Sequence, residues 1–282
     1  MNLSWKIFTA FKIPIRLHIS MVIIPFVAFT WVPDSGPWGI VTSMGLVVLL
    51  FGSVLLHELG HALTARKFGV HTKDIILTPI GGMARMVNMP RSPVREILIA
   101  LAGPVVSLAI ASVAFMFTVV FVVVPVVPDV VRVGLSTLFT LNLMLGLFNL
   151  VPALPMDGGR ILRGTLAIKR DYLSATILAA RIGKTIAVIG GLAGVFYLKS
   201  WILGLIALFI FFSAGQEVRM AAMWAAQKKA EPFANRGPFA HGPEPHRPRP
   251  QPHPRPNPQP NPRVVIIQGG KAEVISRKDP EK

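Results

Sequence analysis

Six long apolar stretches constrain the fold of this chain more than any other feature. They cover residues 17–32, 39–56, 97–127, 133–154, 172–198 and 201–214, and the second continues to about residue 68. A bilayer-spanning helix needs about 20 predominantly apolar residues, and apolar residues make up 52% of this chain. The pattern predicts an all-α membrane protein with about six transmembrane helices. The limits of the fifth stretch stay open, because Arg181 and Lys184 interrupt it.

The basic residues predict how the helices are oriented. A net charge of +16 could indicate nucleic-acid binding, but Lys and Arg lie in the connecting segments and in the tail. With six spans, every strongly basic segment falls on the same side, and the positive-inside rule makes that side cytoplasmic. We therefore expect a multi-pass protein of the inner or plasma membrane with both termini in the cytoplasm and no nucleic-acid partner.

The segments outside the apolar stretches predict smaller elements. Residues 70–89 alternate in part and contain Pro79, Gly81 and Gly82, which favours strands or a re-entrant β-hairpin on the cytoplasmic side between helices two and three. We expect a membrane domain over residues 1–218 and a juxtamembrane helix over 219–230. A proline-rich disordered linker over 231–262 and a tail over 263–282 that can form a β-hairpin follow. The tail could bind a partner of unknown identity or anionic lipid.

One motif points to metal chemistry. His57, Glu58 and His61 form the pattern H-E-x-x-H at the end of the second apolar stretch. Two histidines four residues apart lie on one helix face and can bind the same metal, while the intervening Glu can reach a metal-bound water. The alternative is a helix end that leaves the membrane and carries polar residues at the interface.

A catalytic zinc needs a third protein ligand. The chain contains no cysteine, so that ligand must be His, Asp or Glu. Asp157 follows the fourth span, at the same predicted membrane depth as His57 and His61, where Pro155 and Gly158 would interrupt a helix. The alternative for Asp157 is an ordinary helix-capping or turn residue.

These motifs together resemble those of the site-2 protease family of intramembrane zinc metalloproteases, in its compact form without PDZ or CBS domains. The resemblance covers about residues 15–218. Besides H-E-x-x-H, it rests on the pattern N-x-x-P-x-x-P-x-D-G over residues 149–158, on Gly-Gly-Met-Ala-Arg over 81–85 and on Ala-Gly-Pro-Val-Val-Ser over 102–107. Ser107 stands where the family often has Asn.

The resemblance implies a function and a set of roles. His57, His61 and Asp157 would hold one Zn²⁺, and Glu58 would be the general base that activates the zinc-bound water. The protein would hydrolyse peptide bonds in or near the transmembrane segments of membrane-protein substrates, in regulated intramembrane proteolysis. Three further residues are expected to bind substrate: Asn149, which could otherwise cap the broken helix, and Gly81 and Gly82, which could otherwise form an ordinary turn. Gly103 is expected to shape helix packing.

Two other functions remain open at this point. A membrane zinc protease of the type that acts on prenylated substrates also has H-E-x-x-H but takes its third ligand from a downstream Glu, for which Glu217 is the only candidate. A zinc transporter or an inactive scaffold would not be an enzyme. Transport requires polar residues through both leaflets, whereas here they cluster at one end.

Overall fold

The computed structural model describes residues 3–24, 26, 36–79, 81–87, 92–122, 127–234, 265–268 and 271–274. The chain divides into two compact units, residues 1–230 and 231–282. The first unit contains a bundle of helices and one small sheet. In the second, strands β5 (Val265–Gln268) and β6 (Lys271–Val274) form an antiparallel pair. The rest of the predicted proline-rich linker and tail, apart from residues 231–234, lies outside the described residues.

In the residues that the structure describes, six α-helices have defined bounds: α1 (Gly36–Lys67), α2 (Pro93–Val122), α3 (Asp129–Asn149), α4 (Asp157–Ala167), α5 (Tyr172–Leu192) and α6 (Trp201–Ala234). A π-helical turn, Ala193–Tyr197, extends α5. Among the described residues, five helical segments are long and apolar enough to cross a membrane: Ser43–Lys67, Pro93–Phe121, Asp129–Asn149, Tyr172–Tyr197 and Trp201–Gln227. They correspond to the second through sixth predicted spans, and α6 continues without a break through residues 219–230.

The bundle exposes many large apolar side chains, as expected of a surface that faces lipid. Examples are Val105 and Phe115 on α2, Met144 on α3 and Phe209 on α6, each at least half exposed. In water such surfaces would be unfavourable, but lipid chains are as apolar as these residues. The protein is therefore an integral membrane protein, as the apolar stretches predict.

The sheet has the strand order β1-β2-β3-β4, with β1 (Ser4–Ala10), β2 (Ile13–His18), β3 (His71–Thr78) and β4 (Gly81–Val87). Strands β3 and β4 form the hairpin between α1 and α2, and β2 pairs with β3 in parallel. One face of the sheet packs on α1, where Ile15 of β2 and Ile75 of β3 are fully buried beside Val54 and Leu59. This packing places β4 beside the helix that carries H-E-x-x-H.

The prediction of a first span beginning at residue 17 is wrong at its start. Leu17 and His18 belong to β2, and a short 3-10 helix, Ile19–Val22, follows. The segment before it alternates, with Ile13 and Ile15 buried and Arg16 pairing with Asp74. That is the period of a strand rather than of a helix. Residues 25 and 27–32 lie outside the described residues, so the first predicted span is not established.

Small residues let the helices around the motif approach closely. A Cβ on Gly60 of α1 would lie 2.8 Å from the carbonyl oxygen of Ala102 on α2, and one on Gly146 of α3 would lie 3.0 Å from Leu108. Close backbone approach of this kind is a common way to pack helices in membranes. The buried amide of Asn142 adds a hydrogen bond from Nδ2 to Ser53 Oγ, 2.8 Å long, between α3 and α1.

Candidate metal centre

Two imidazoles and one carboxylate converge at a buried point between α1 and the start of α4. His57 Nε2 and His61 Nε2 lie 3.2 Å apart, and Asp157 Oδ2 lies 3.2 Å from the first and 3.1 Å from the second. All three residues are buried. Among the described residues, they form a group whose donor atoms can hold a metal ion. The structure therefore brings together the three residues that the sequence nominated as ligands.

The other nitrogen of each imidazole is engaged, which orients both rings toward this point. His61 Nδ1 lies 2.7 Å from the carbonyl oxygen of Ile99. A carbonyl oxygen only accepts, so Nδ1 carries the proton, and in the neutral ring Nε2 keeps a lone pair. His57 Nδ1 lies 2.9 Å from Ser107 Oγ, which can accept a hydrogen bond from Nδ1. Such outer contacts fix the tautomer that a metal ligand requires.

The spacing of the three atoms fits a zinc ion. Zinc binds nitrogen and carboxylate oxygen at about 2.0–2.2 Å in tetrahedral geometry, which places two ligands about 3.3 Å apart. The observed separations of 3.1–3.2 Å are close to that value. Lone pairs at this distance in a buried site repel one another unless a proton or a metal ion lies between them, and one metal ion can satisfy all three donor atoms at once. Three protein ligands also leave a fourth position for water or substrate.

Gly103 keeps the space at this centre open. It lies on α2, and a Cβ there would be 2.2 Å from His61 Nε2 and 2.6 Å from His57 Nε2. A side chain at this position would therefore enter the volume that the metal needs. Gly103 was expected to shape helix packing, and the structure adds that its missing side chain leaves room beside the nitrogens of His57 and His61.

Asp157 reaches the histidines because the chain turns sharply after α3. That helix ends at Asn149, and α4 begins at Asp157. A Cβ on Gly158 would lie 2.2 Å from the carbonyl oxygen of Leu150, and one on Gly159 would lie 2.3 Å from the nitrogen of Leu154. Only glycine fits so close to the turn, which is why the two residues after Asp157 have no side chain. The carboxylate also stands at a helix N-terminus, where the helix dipole favours negative charge.

A buried ionic cluster holds α4 in place. Arg163 Nε donates to Glu96 Oε1 of α2 at 2.8 Å, and Arg163 Nη1 donates to Glu217 Oε2 of α6 at 2.8 Å. The guanidinium also lies 5.1 Å from the ring centroid of Tyr172. Burial alone would lower the pKa of Arg163, but the two carboxylates outweigh burial and raise it, so the cation is retained. The cluster ties the helix that begins with Asp157 to two membrane-spanning helices.

Glu58 lies between the metal centre and the edge of the sheet. Its Oε2 accepts a hydrogen bond from the backbone N–H of Ala84 in β4, 3.1 Å long. A Cβ on Gly82 would lie 2.5 Å from Glu58 Cγ. Gly82 thus gives the Glu58 side chain room against β4. Gly81 begins the strand with φ +145°, and its carbonyl oxygen accepts a hydrogen bond from Thr78 Oγ1.

Asn149 stands at the last position of α3. Its Nδ2 donates to the carbonyl oxygen of Leu145, 2.9 Å away. This contact matches the alternative of an amide that satisfies the end of a broken helix, and it leaves Oδ1 as an acceptor. A role of Asn149 in binding substrate stays a prediction.

Sequence reasoning missed three residues that support the centre: Ser107, Gly103 and Arg163. The signals were present for the first two, since both lie in the Ala-Gly-Pro-Val-Val-Ser segment. Arg163 carried no recognisable signal. Its partners Glu96 and Glu217 lie on other helices, 67 residues before it and 54 residues after it.

Fold and site together define a class. This is a polytopic membrane protein with a buried two-histidine, one-carboxylate metal centre and a glutamate next to the first ligand. Residues 45–137 and 129–192 match the profile of peptidase family M50, which covers about half of the chain. The chain belongs to peptidase family M50, and the resemblance to site-2 proteases drawn from its motifs is confirmed.

Two relatives come from one archaeon, Methanocaldococcus jannaschii. A protein named zinc metalloprotease is 42% identical over 225 residues, which are 78% of this chain and 62% of the relative. A solved structure titled site-2 protease is 41% identical, with a TM-score of 0.56, and the match covers 76% of this chain and 95% of that one. A relative from Mycobacterium tuberculosis is 37% identical over 187 residues, 61% of this chain and 46% of its own length. The chain thus spans about half to three fifths of these curated relatives.

The relatives and the donor set support zinc as the cofactor. The geometry also bears on the alternative of a membrane zinc protease that takes its third ligand from a downstream Glu. Glu217 pairs with Arg163 at 2.8 Å and is not part of the group formed by His57, His61 and Asp157. A protease of the kind that takes its third ligand from a downstream Glu is therefore not supported.

Proposed function

We propose that this protein is an intramembrane zinc metalloprotease that hydrolyses peptide bonds in or near the transmembrane segments of other membrane proteins. The observation that carries the proposal is the convergence of His57 Nε2, His61 Nε2 and Asp157 Oδ2 in a buried site within a bundle of membrane-spanning helices. Membership of peptidase family M50 supports the same reaction.

The three ligands hold zinc, and Glu58 moves the proton. Bound zinc supplies a Lewis acid that acidifies water and polarises the scissile carbonyl. Glu58 accepts a proton from the attacking water as the new C–O bond forms, and passes it to the amine that leaves when the C–N bond breaks. Its position one residue after His57 places its carboxylate beside the centre rather than among the ligands.

The edge of β4 is the proposed docking position for substrate. A transmembrane helix hides its carbonyl groups in its own hydrogen bonds, so the substrate must unwind before attack. A backbone N–H of a strand points either at the neighbouring strand or away from it. The Ala84 N–H bonds Glu58, so it marks the outer edge of β4. A substrate strand added along Gly81 and Gly82 would replace its lost hydrogen bonds and pass directly beside Glu58.

The test compares catalysis with metal binding. The purified full chain is reconstituted in phospholipid vesicles with a single-span membrane protein, products are mapped by mass, and zinc is measured by atomic emission. Glu58→Gln should retain zinc and lose about a hundredfold to ten-thousandfold of the cleavage rate. His61→Ala should lose both. Wild-type cleavage by Glu58→Gln would refute its role, and wild-type zinc content in Asp157→Ala would refute the metal centre.

We also propose that both termini and the active-site end of the bundle face the cytoplasm, which would favour a role in regulated intramembrane proteolysis. The support is the concentration of basic residues at that end. Because the chain has no cysteine, a single Lys169→Cys or Lys199→Cys substitution can be labelled in intact cells. An impermeant reagent added outside should label Lys199→Cys and spare Lys169→Cys, and the reverse pattern would overturn the orientation.

A further inference from the structure

A second candidate site lies between α5 and α6 and shares no residue with the metal centre. It is a half-open cavity of about 290 Å³ lined by Lys184 of α5 and by Phe211, Phe212, Gly215, Gln216 and Arg219 of α6. Two of its six lining residues are cations, and two are aromatic. The proposed proteolysis uses none of them.

Lys184 is unusual because it lies in the middle of a span, Tyr172–Tyr197. An ionisable residue at the centre of a membrane helix costs about 2.5–3.5 kcal/mol on insertion scales, and such residues normally have a partner. In this structure Lys184 Nζ stands 4.8 Å from the ring centroid of Phe211, which stabilises one side of the ammonium. Within the described part of the chain, no carboxylate pairs with Lys184 or Arg219.

The residues of α6 leave room in front of this ammonium. A Cβ on Gly215 would lie 3.6 Å from Lys184 Nζ, so glycine keeps the adjacent space free of side chain. Arg219 follows Gly215 by four residues and Gln216 by three, which places them on the same side of the helix. Two cations and an amide therefore line one small space, an arrangement that suits a compact anion.

The position of the cavity along the helix axes determines whether its cations can reach phospholipid headgroups. Side chains on a helix lean toward its N-terminus, so Lys184 extends toward Tyr172 rather than toward Tyr197. Arg219 lies two residues beyond Glu217, whose carboxylate reaches Arg163 at the end of the bundle where α2 begins. The cavity therefore lies toward the basic end of the bundle, where a cation can reach phospholipid headgroups.

We propose that this cavity binds the phosphate of an anionic phospholipid, held by Lys184 and Arg219. The volume of about 290 Å³ lies near the lower limit of small-molecule sites, which suits a headgroup rather than a larger ligand. Phe212 is 62% exposed at the mouth of the cavity, so acyl chains can continue along the apolar surface of α6. Free inorganic phosphate presents the same charge but has nothing to place on Phe212. Basic pockets between membrane helices are a recognised way to hold anionic lipid.

The test measures lipid retention by the full-length protein. The protein is delipidated in mild detergent, titrated with phosphatidylglycerol or phosphatidylcholine, and analysed by native mass spectrometry. The wild type should bind one phosphatidylglycerol at least tenfold more tightly than phosphatidylcholine. Lys184→Met and Arg219→Gln should each weaken that binding at least tenfold. Arg181→Gln is the matched control, since it removes the same charge from α5 at a residue that does not line the cavity, and it should stay within twofold of the wild type.

Several results would overturn the proposal. Unchanged binding in Arg219→Gln would refute a phosphate held by Arg219, and an equal reduction in Arg181→Gln would show only diffuse charge. Displacement of phosphatidylglycerol by an equal concentration of inorganic phosphate would assign the cavity to a free anion instead of a lipid. Arg219 is exposed on α6, so Arg219→Gln decides the outcome even where Lys184→Met lowers the folded yield, and retained zinc confirms that the variants are folded.

Discussion

Gly103→Ala tests whether the space at the metal centre is as tightly defined as the structure indicates. The added methyl carbon would lie 2.2 Å from His61 Nε2, about 1.2 Å short of the 3.4 Å at which ordinary contact begins. Zinc–nitrogen distances tolerate only about 0.2 Å of change. Either an imidazole or α2 must therefore move by several times that tolerance. We expect zinc affinity to fall at least as far as it does when an outer contact of a metal ligand is lost, about 10–100-fold.

Gly52→Ala is the matched control for this experiment. Gly52 lies on α1, the helix that carries both histidines, and a Cβ there meets nothing within 4 Å. Alanine favours a helix interior by about 1 kcal/mol over glycine, so this variant should bind zinc and cleave substrate like the wild type. Zinc affinity is measured by competition with a chromophoric chelator. Substrate cleavage is measured with the protein reconstituted in vesicles. Tight zinc binding by Gly103→Ala, with wild-type cleavage, would refute the view that Gly103 lines the metal position.

Three further predictions follow from the contacts around the centre. Ser107→Ala removes the partner of His57 Nδ1, and it should weaken zinc binding about 10–100-fold while the melting temperature changes little; unchanged affinity would contradict the role. Arg163→Met leaves the buried carboxylate of Glu96 and the half-buried carboxylate of Glu217 unpaired, and it should destabilise the protein by roughly 3–5 kcal/mol, measured by denaturant unfolding in detergent; a smaller loss in Arg163→Lys would show that the charge matters. The Arg85 guanidinium hydrogen-bonds Asp74 and lowers its pKa below the ordinary 3.8, so this stabilisation is complete above about pH 4 and is lost as the pH falls through the lowered pKa. The difference in melting temperature between the wild type and Asp74→Asn should therefore stay constant from pH 7 to pH 5 and decrease below pH 4, and a difference that grows on acidification would contradict the assignment.

The two proposed ligands on α1 were predictable because their geometry is local. A spacing of four residues places His57 and His61 on one face of any α-helix, and the surrounding apolar run makes that helix certain. The five spans confirmed in the structure were predictable for the same reason, since length and apolar content are read directly from the sequence. Asp157 was predictable from its motif and from its expected depth, although residues alone left it as one acid among several.

The N-terminal strands were not predictable as part of a sheet with β3. Strand β2 pairs in parallel with a strand that begins more than fifty residues later, and no local pattern encodes such a partner. The apolar residues of 13–24 were therefore counted partly toward a span. Their alternation was visible, but a short apolar run suits a strand or a helix equally well until its neighbours are known.

The sequence by itself determined the chemistry of this protein: the donor types, the absence of cysteine, the helical pairing of the histidines and the glutamate beside them. Only the tertiary structure decided what surrounds that chemistry. Gly103 forms a wall of the site, Ser107 orients the His57 ring, the Ile99 carbonyl sets the tautomer of His61, and Arg163 anchors the helix that begins with Asp157. The physical reason is the separation along the sequence of the residues that come into contact. A helix fixes neighbours three or four residues apart, whereas these contacts join helices that meet only after the whole bundle has packed.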